Sequence, residues 1–145
     1  MDTTLAGIIS GIAGSATCLV LGLVFRWIGM TDRTFDNLAQ VFILSKECPG
    51  ALAFIMGSVV HLGIGGALGV MFAYFIHATA QKYIMIKGIF FGAMVFVSFV
   101  GLGNYYRMAL FTNMPPLASF LLWLASMIYG LVMSFTLYKL TEMKC

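Results

Sequence analysis

Charged residues are scarce in this chain, at 9% of its 145 residues against about 25% in a typical globular domain. The long hydrophobic runs contain no aspartate or glutamate. This absence argues against proton-coupled transporters that depend on an intramembrane carboxylate, and against dinuclear metal sites built from carboxylates. The net charge of +3 is small and includes no basic run, so nucleic acid is not an expected partner.

Motifs of known enzyme classes are also missing. The sequence has no nucleophile elbow, no HExxH, no phosphate-binding GxxxxGK and no Asp/His pair within one hydrophobic run. Its three cysteines, Cys18, Cys48 and Cys145, form no CxxC or CxxH spacing, so we expect unpaired thiols and no metal site. The sequence therefore favours a protein that is not an enzyme and that uses no cofactor.

Hydrophobic residues make up 61% of the chain and are grouped into four long runs. The runs cover roughly residues 5–27, 50–76, 84–106 and 116–138. Each exceeds the ~20 residues that an α-helix needs to cross a hydrocarbon core about 30 Å thick. The sequence therefore predicts an all-α fold, a four-helix bundle integral to the membrane, with residues 1–145 as a single transmembrane domain.

The charges around these runs bear on orientation. The N-terminus lacks the basic stretch of a signal peptide and the first run is too long for its apolar region, so we expect this helix to be retained. Four spans put both termini on one side, with Lys82, Lys87, Lys139 and Lys144, while the opposite side has Arg26, Arg33, Lys46 and Arg107. The short basic turn at 81–87 favours cytoplasmic termini in a multi-pass protein of the cell membrane.

The first loop, residues 29–49, is the only connection long enough to hold structure of its own. Apolar residues recur in it at spacings of three and four, at Phe35, Leu38, Val41 and Phe42. The polar residues Asp36, Asn37 and Gln40 lie off that stripe. We expect a short interfacial helix here, between the first and second spans, lying on the bilayer or capping the bundle.

Small residues form a ridge along the second run. Seven positions four residues apart read Ala53, Gly57, His61, Gly65, Gly69, Ala73 and His77, and they include both histidines of the chain. Residues four apart share one face of a helix, and small residues there let helices approach closely within a membrane. Similar spacings occur in the other runs. The predicted helix-packing positions are Gly7, Gly11, Gly57, Gly65, Gly69, Gly88, Gly92 and Gly130.

One residue of this ridge, His61, is titratable and lies deep in a span. It is eleven residues, or about 16 Å, from the start of the run at Gly50. A neutral imidazole can be satisfied by one donor and one acceptor from neighbouring helices. Three roles therefore stay open for His61: a structural hydrogen-bonding group, a group that contacts a ligand or gates a path, and a metal ligand.

Polar residues at the ends of the first and third runs suggest a vestibule on the side of the first loop. Arg26 ends the first run, and Asn104 and Arg107 end the third. The fork of an arginine side chain binds carboxylate or phosphate, so a vestibule here suits an anionic group, with His61 below it. The alternative is the ordinary snorkelling of arginines at a membrane surface, which needs no ligand.

Three functions are compatible with these features. The first is a protein that acts by helix packing, as a homo-oligomer or as an accessory subunit of a larger membrane complex. The second is a transporter or channel with a path past His61, which would respond to pH because histidine titrates near neutrality. The third is binding of membrane lipid or another amphipathic ligand, with Phe35, Leu38 and Phe42 inserting beside the vestibule.

Four stretches together resemble the YqhR-like and, more distantly, the YagU-like groups of small bacterial membrane proteins of unknown function. They are a glycine-rich first span (GIISGIAGS), a polar loop with a short apolar helix (TFDNLAQVFIL), the small-residue ridge (GSVVHLGIGGALGVMFAYF) and a short basic turn (QKYIMIKG). The resemblance implies a four-helix protein of the bacterial inner membrane. It implies no catalytic residues.

Overall fold

The computed structural model describes residues 2–142, which form five helices and no strand. They are α1 (Thr3–Trp27), α2 (Phe35–Leu44), α3 (Ala51–Thr79), α4 (Ile84–Tyr105) and α5 (Pro116–Glu142). All but α2 are long and apolar enough to cross a membrane. The predicted fold class, with a short helix between the first and second spans, is therefore confirmed. Lys144 and Cys145 lie outside the described residues.

The four long helices surround a common centre but do not close into a complete ring. Helix α1 packs along both α3 and α5, and α5 packs along α4, whereas α3 and α4 make little contact. One hydrogen bond crosses the centre, from the hydroxyl of Tyr129 on α5 to the carbonyl of Gly65 on α3, at 3.1 Å. The bundle is therefore tight on three sides and open on the fourth.

Glycines bring the backbones of α1 and α3 together. A Cβ atom at Gly7 would lie 2.7 Å from the Cα of Val70, and one at Gly69 would lie 2.7 Å from the Cα of Gly11. A Cβ at Gly11 would overlap the carbonyl of Gly65. Since real Cβ atoms do not approach backbone so closely, only glycine fits at these positions. We call this contact the α1/α3 seam.

A second seam joins α4 to α5. A Cβ at Gly88 or Gly92 would overlap the carbonyl of Gly130 or Ser126, and one at Gly130 would overlap the carbonyl of Gly88. Serines complete the contact because their hydroxyls bond within their own helix: Ser126 donates to Leu122 and Ser134 to Gly130. The polar groups are thus satisfied where no water is present. We call this contact the α4/α5 seam.

Helix α2 is buried on nearly every side. Every residue from Phe35 to Val41 is buried, including Asp36 at 1% exposure. The helix crosses α3 at Gly57, where a Cβ would overlap the carbonyl of Asp36. Helix α2 is therefore inserted into one end of the bundle, which agrees with the alternative that it caps the bundle. The missing side chain at Gly57 is what permits this close approach.

Candidate functional site

A cleft runs between α3 and α4, where the ring of helices is open. It contains about 650 Å³ of empty space, part of it open to the exterior. Helical spacing aligns the residues of its two walls, with His61, Ile64, Gly65 and Leu68 from α3 facing Val95, Phe96, Phe99 and Val100 from α4. Phe35, Leu38, Ala39 and Phe42 of α2 form the roof, and Ser15, Cys18, Ser126 and Tyr129 line the back.

Aromatic pairs bound the cleft at its two ends. Toward α2, the ring of Phe42 meets Phe99 edge-on at 5.6 Å and Phe111 at 5.5 Å between centroids. At the end of the cleft nearer the N- and C-termini of the chain, the rings of Phe72 on α3 and Phe91 on α4 lie 5.2 Å apart between centroids. The cleft therefore lies, with aromatic residues at both of its ends, between two helices that are long and apolar enough to span a membrane.

The polar groups at the back of the cleft are already engaged with the protein. The Cys18 thiol donates to the carbonyl of Ala125 at 3.1 Å, and the Ser15 hydroxyl donates to that of Gly11 at 2.9 Å. Tyr129 donates to Gly65, as described above. The wall therefore presents an almost wholly apolar surface, which suits a hydrocarbon chain and not a polar metabolite.

His61 lies on the wall of the cleft near its α2 end. Its ring stacks on Phe35, with 5.2 Å between centroids, and it lies within electrostatic range of Asp36. The Nε2 atom is buried and has no hydrogen-bond partner among the described residues. The ridge therefore serves two contacts: Gly57 accommodates α2, Gly65 and Gly69 accommodate α1, and His61 lies between them.

Unpartnered polar atoms gather around the junction of α2 and α3. In the described part of the chain, buried side-chain atoms without a hydrogen bond belong to Arg33, Thr34, Asp36, Ser58 and His61, although Arg33 Nε lies 3.6 Å from the carboxylate of the exposed Asp32. Thr34 and Asp36 are each 1% exposed. A buried polar group without a partner costs about 1–3 kcal/mol, and more when it is charged. We call these five residues the α2/α3 polar cluster.

Two contacts do hold polar side chains of α2 in place. The amide of Asn37 donates to the carboxylate of Glu47 at 2.7 Å, and the Gln40 side-chain oxygen accepts from the backbone N–H of Cys48 at 3.5 Å. Both partners belong to the segment that leads from α2 to α3. The polar side of α2 is therefore only partly satisfied.

The vestibule predicted from the sequence is not assembled in the described structure. Arg26, Asn104 and Arg107 are all exposed, and no hydrogen bond or ion pair joins any two of them. The Asn104 amide bonds to the carbonyl of Val100 in its own helix. None of the three lines the cleft that His61 borders. The arginines thus fit the alternative of ordinary interfacial side chains.

Sequence reasoning missed two parts of this site. It found the α2 stripe containing Phe35, Leu38 and Phe42 but not the α4 wall it faces, because nothing in a sequence says which helices fail to meet. It also placed Asp36 off the apolar stripe of α2 without indicating that its side chain is buried. The one available signal was Gly57, whose small size requires a close partner that the sequence does not identify.

The second histidine of the ridge, His77, lies at the opposite end of the bundle. It is exposed and borders a separate cavity of about 450 Å³. Thr3, Gln81 and Thr141 also line that cavity. The two histidines therefore share a helix face but no site.

Comparison with known proteins places the chain in a family without assigning an activity. No curated protein matches it, and no solved structure does. The family of unknown function DUF6789 matches residues 1–145. This match makes no link to the YqhR-like or YagU-like groups, so that resemblance stays a prediction. Because the match covers the whole chain, the protein belongs to the DUF6789 family.

Proposed function

We propose that this protein binds one hydrocarbon chain of a membrane lipid in the cleft between α3 and α4. The observation that carries the proposal is the cleft itself, an apolar slot whose open side lies between two helices able to span a membrane. The surroundings of such helices consist of acyl chains, so the molecule that meets the opening is a lipid.

The dimensions of the cleft agree with this ligand. The lining residues of α3 run from His61 to Leu68, a length of about 10 Å at 1.5 Å per residue. That length accommodates part of an acyl or isoprenoid chain. The aromatic pairs at both ends limit how far the hydrocarbon chain can extend. This limit favours binding of one chain in a defined position over non-specific contact with bulk lipid.

The packing hypothesis loses part of its motivation. Gly7, Gly11, Gly65 and Gly69 are occupied by contacts within the chain, as are Gly88, Gly92 and Gly130. These glycines therefore explain how the monomer folds and do not require a second subunit. A homo-oligomer, an accessory subunit and a transport path past His61 remain predictions from the sequence.

A pair of matched substitutions tests lipid binding. Val95→Trp places a large ring inside the cleft, whereas Val97→Trp makes the same change at a position that is 53% exposed on the same helix. We expect native mass spectrometry of gently extracted protein to show one retained lipid in the wild type and Val97→Trp, and none in Val95→Trp.

Photochemistry provides a second measurement. A phospholipid with a photoreactive group near the middle of its acyl chain should cross-link to cleft residues such as Ile64 and Phe99. Equal labelling of all lipid-facing residues, or equal lipid retention in both variants, would contradict the proposal. Wild-type protein that carries no lipid under gentle extraction would do the same.

A further inference from the structure

Two opposing effects act on the position of helix α2 in the bundle. Its apolar stripe is buried against the cleft, with Leu38 at 6% and Ala39 at 4% exposure. Near its crossing with α3, both carboxylate oxygens of Asp36 on α2 and the hydroxyl of Ser58 on α3 are buried without a hydrogen-bond partner. The apolar contacts favour insertion of α2, whereas hydration of the polar cluster favours its withdrawal.

The segments on both sides of α2 are suited to movement. Gly29 precedes it with φ +76° and Gly50 follows it with φ +120°, and nothing lies within 4 Å of a Cβ at either position. Glycine adopts such angles without steric cost. Helix α2 is therefore connected to α1 and α3 through glycines that no side chain packs against and that permit backbone angles other residues rarely adopt.

Helix α2 crosses α3 near one end of the bundle. The crossing is at Gly57, about 9 Å from the start of α3 at Ala51. The whole of α3, with 29 residues, is about 43 Å long, so the crossing lies in its first quarter. A small outward shift of α2 would hydrate the polar cluster without exposing it to acyl chains.

We propose that α2 is a gate over the cleft, and that its outward movement opens the cleft to the aqueous surface at this end of the bundle. The role of this gate in ligand access rests on the lipid-binding function proposed above. The movement of α2 itself does not depend on that function. In the closed state the stripe of α2 roofs the cleft. In the open state the polar cluster is hydrated and the cleft is reachable from water as well as from lipid.

Cysteine accessibility tests the gate without any ligand. In protein with Cys18→Ala, Cys48→Ser and Cys145→Ser, the reporter is Ala39→Cys, a cleft-lining position that is 4% exposed. The reference is Ile43→Cys, which is 58% exposed on the same helix. Both are reconstituted in lipid nanodiscs and treated with a charged, membrane-impermeant maleimide.

We expect the thiol at position 39 to react slowly but completely, and the thiol at position 43 to react within minutes. Asp36→Leu removes the buried carboxylate, so it should slow the reaction at position 39 at least tenfold and leave position 43 unchanged. Lys46→Leu is the control, because it also removes a charge next to α2 but at an exposed position outside the polar cluster, and it should change neither rate.

Two results would overturn the gate. The first is a thiol at position 39 that stays unlabelled for a day while position 43 reacts, which would mean that α2 does not move. The second is an unchanged rate in Asp36→Leu, which would mean that the polar cluster does not drive the movement. If Asp36→Leu does not elute as monodisperse protein, Ser58→Ala replaces it, with a smaller slowing expected. Lipid retention is measured separately, so either proposal can fail alone.

Discussion

The two glycine seams and the α3/α4 cleft are three places in one bundle where two helices face each other. The helices touch in the seams and stay apart in the cleft. In the seams, glycines and serines face each other and the backbones touch. In the cleft, the facing residues are bulky or aromatic, among them Leu68, Phe96 and Phe99, and a space remains between the helices. Because apolar side chains gain little by leaving lipid, close approach of backbones is what associates helices here. The cleft persists where that approach is blocked.

The largest expected effect comes from filling the α1/α3 seam. Gly65→Leu combined with Gly69→Leu places side chains where the backbone and side chain of α1 already lie. Overpacking of a well-packed core costs about 1–3 kcal/mol per site, and more where backbone must move. We expect the double variant to lose its sharp melting transition in detergent and to elute as aggregate.

The control for this variant lies on the same helix. Gly63→Leu points into open space, because nothing lies within 4 Å of its Cβ position, so its melting temperature should stay close to that of the wild type. If the double variant melts and elutes like the wild type, the close contact between α1 and α3 at Gly65 and Gly69 is wrong.

A single methyl group should be enough to weaken the α4/α5 seam. In Gly130→Ala the new Cβ overlaps the carbonyl of Gly88, which belongs to backbone and cannot rotate away. We expect destabilisation of about 1–3 kcal/mol, measured by thermal or denaturant unfolding in micelles. Gly101→Ala, on α4 but in open space, should be neutral or slightly stabilising because alanine favours helix. If the two variants are equally stable, α4 and α5 can move apart at Gly130 without loss of stability, which would contradict the prediction.

The smallest expected effect concerns the hydrogen bond across the centre of the bundle. Tyr129→Phe removes the donor to Gly65 and keeps the ring, so we expect a loss of roughly 0.5–1.5 kcal/mol. Tyr105→Phe makes the same change at a side chain that is 80% exposed and should have no measurable effect. If both variants unfold alike, the bond contributes nothing to holding α5 against α3.

Much of the fold was predictable because membrane insertion constrains sequence strongly. The predicted runs 5–27 and 84–106 differ from α1 and α4 by only one or two residues at an end, since hydrocarbon length sets the span. Helix α3 is longer than the predicted run 50–76 and ends at Thr79. Helix α5 likewise continues beyond the predicted run 116–138 and ends at Glu142. Polar residues such as Thr79 and Lys139 continue a helix beyond its apolar part, and hydropathy does not detect this.

The site was far less predictable. His61 was identified from its rarity, but its neighbours Phe35 and Asp36 come from a helix whose depth no local pattern encodes. The sequence put the polar residues of α2 off its apolar stripe without indicating their partner, and two of them, Asp36 and Gln40, lie against Gly57. Arg26, Asn104 and Arg107 are exposed and make no hydrogen bond or ion pair with one another, so the vestibule stays a prediction.

The sequence by itself determined that the chain is helical, that four helices are apolar enough to span a membrane, and which positions are small enough for close contact. These properties are local, since they follow from hydropathy, run length and the four-residue spacing of glycines. Only the tertiary structure decided that α1 pairs with α3 and α4 with α5, that α2 enters the bundle, and that α3 and α4 stay apart. Those outcomes depend on which surfaces meet, and competition among several similar glycine faces is resolved only when all five helices pack together.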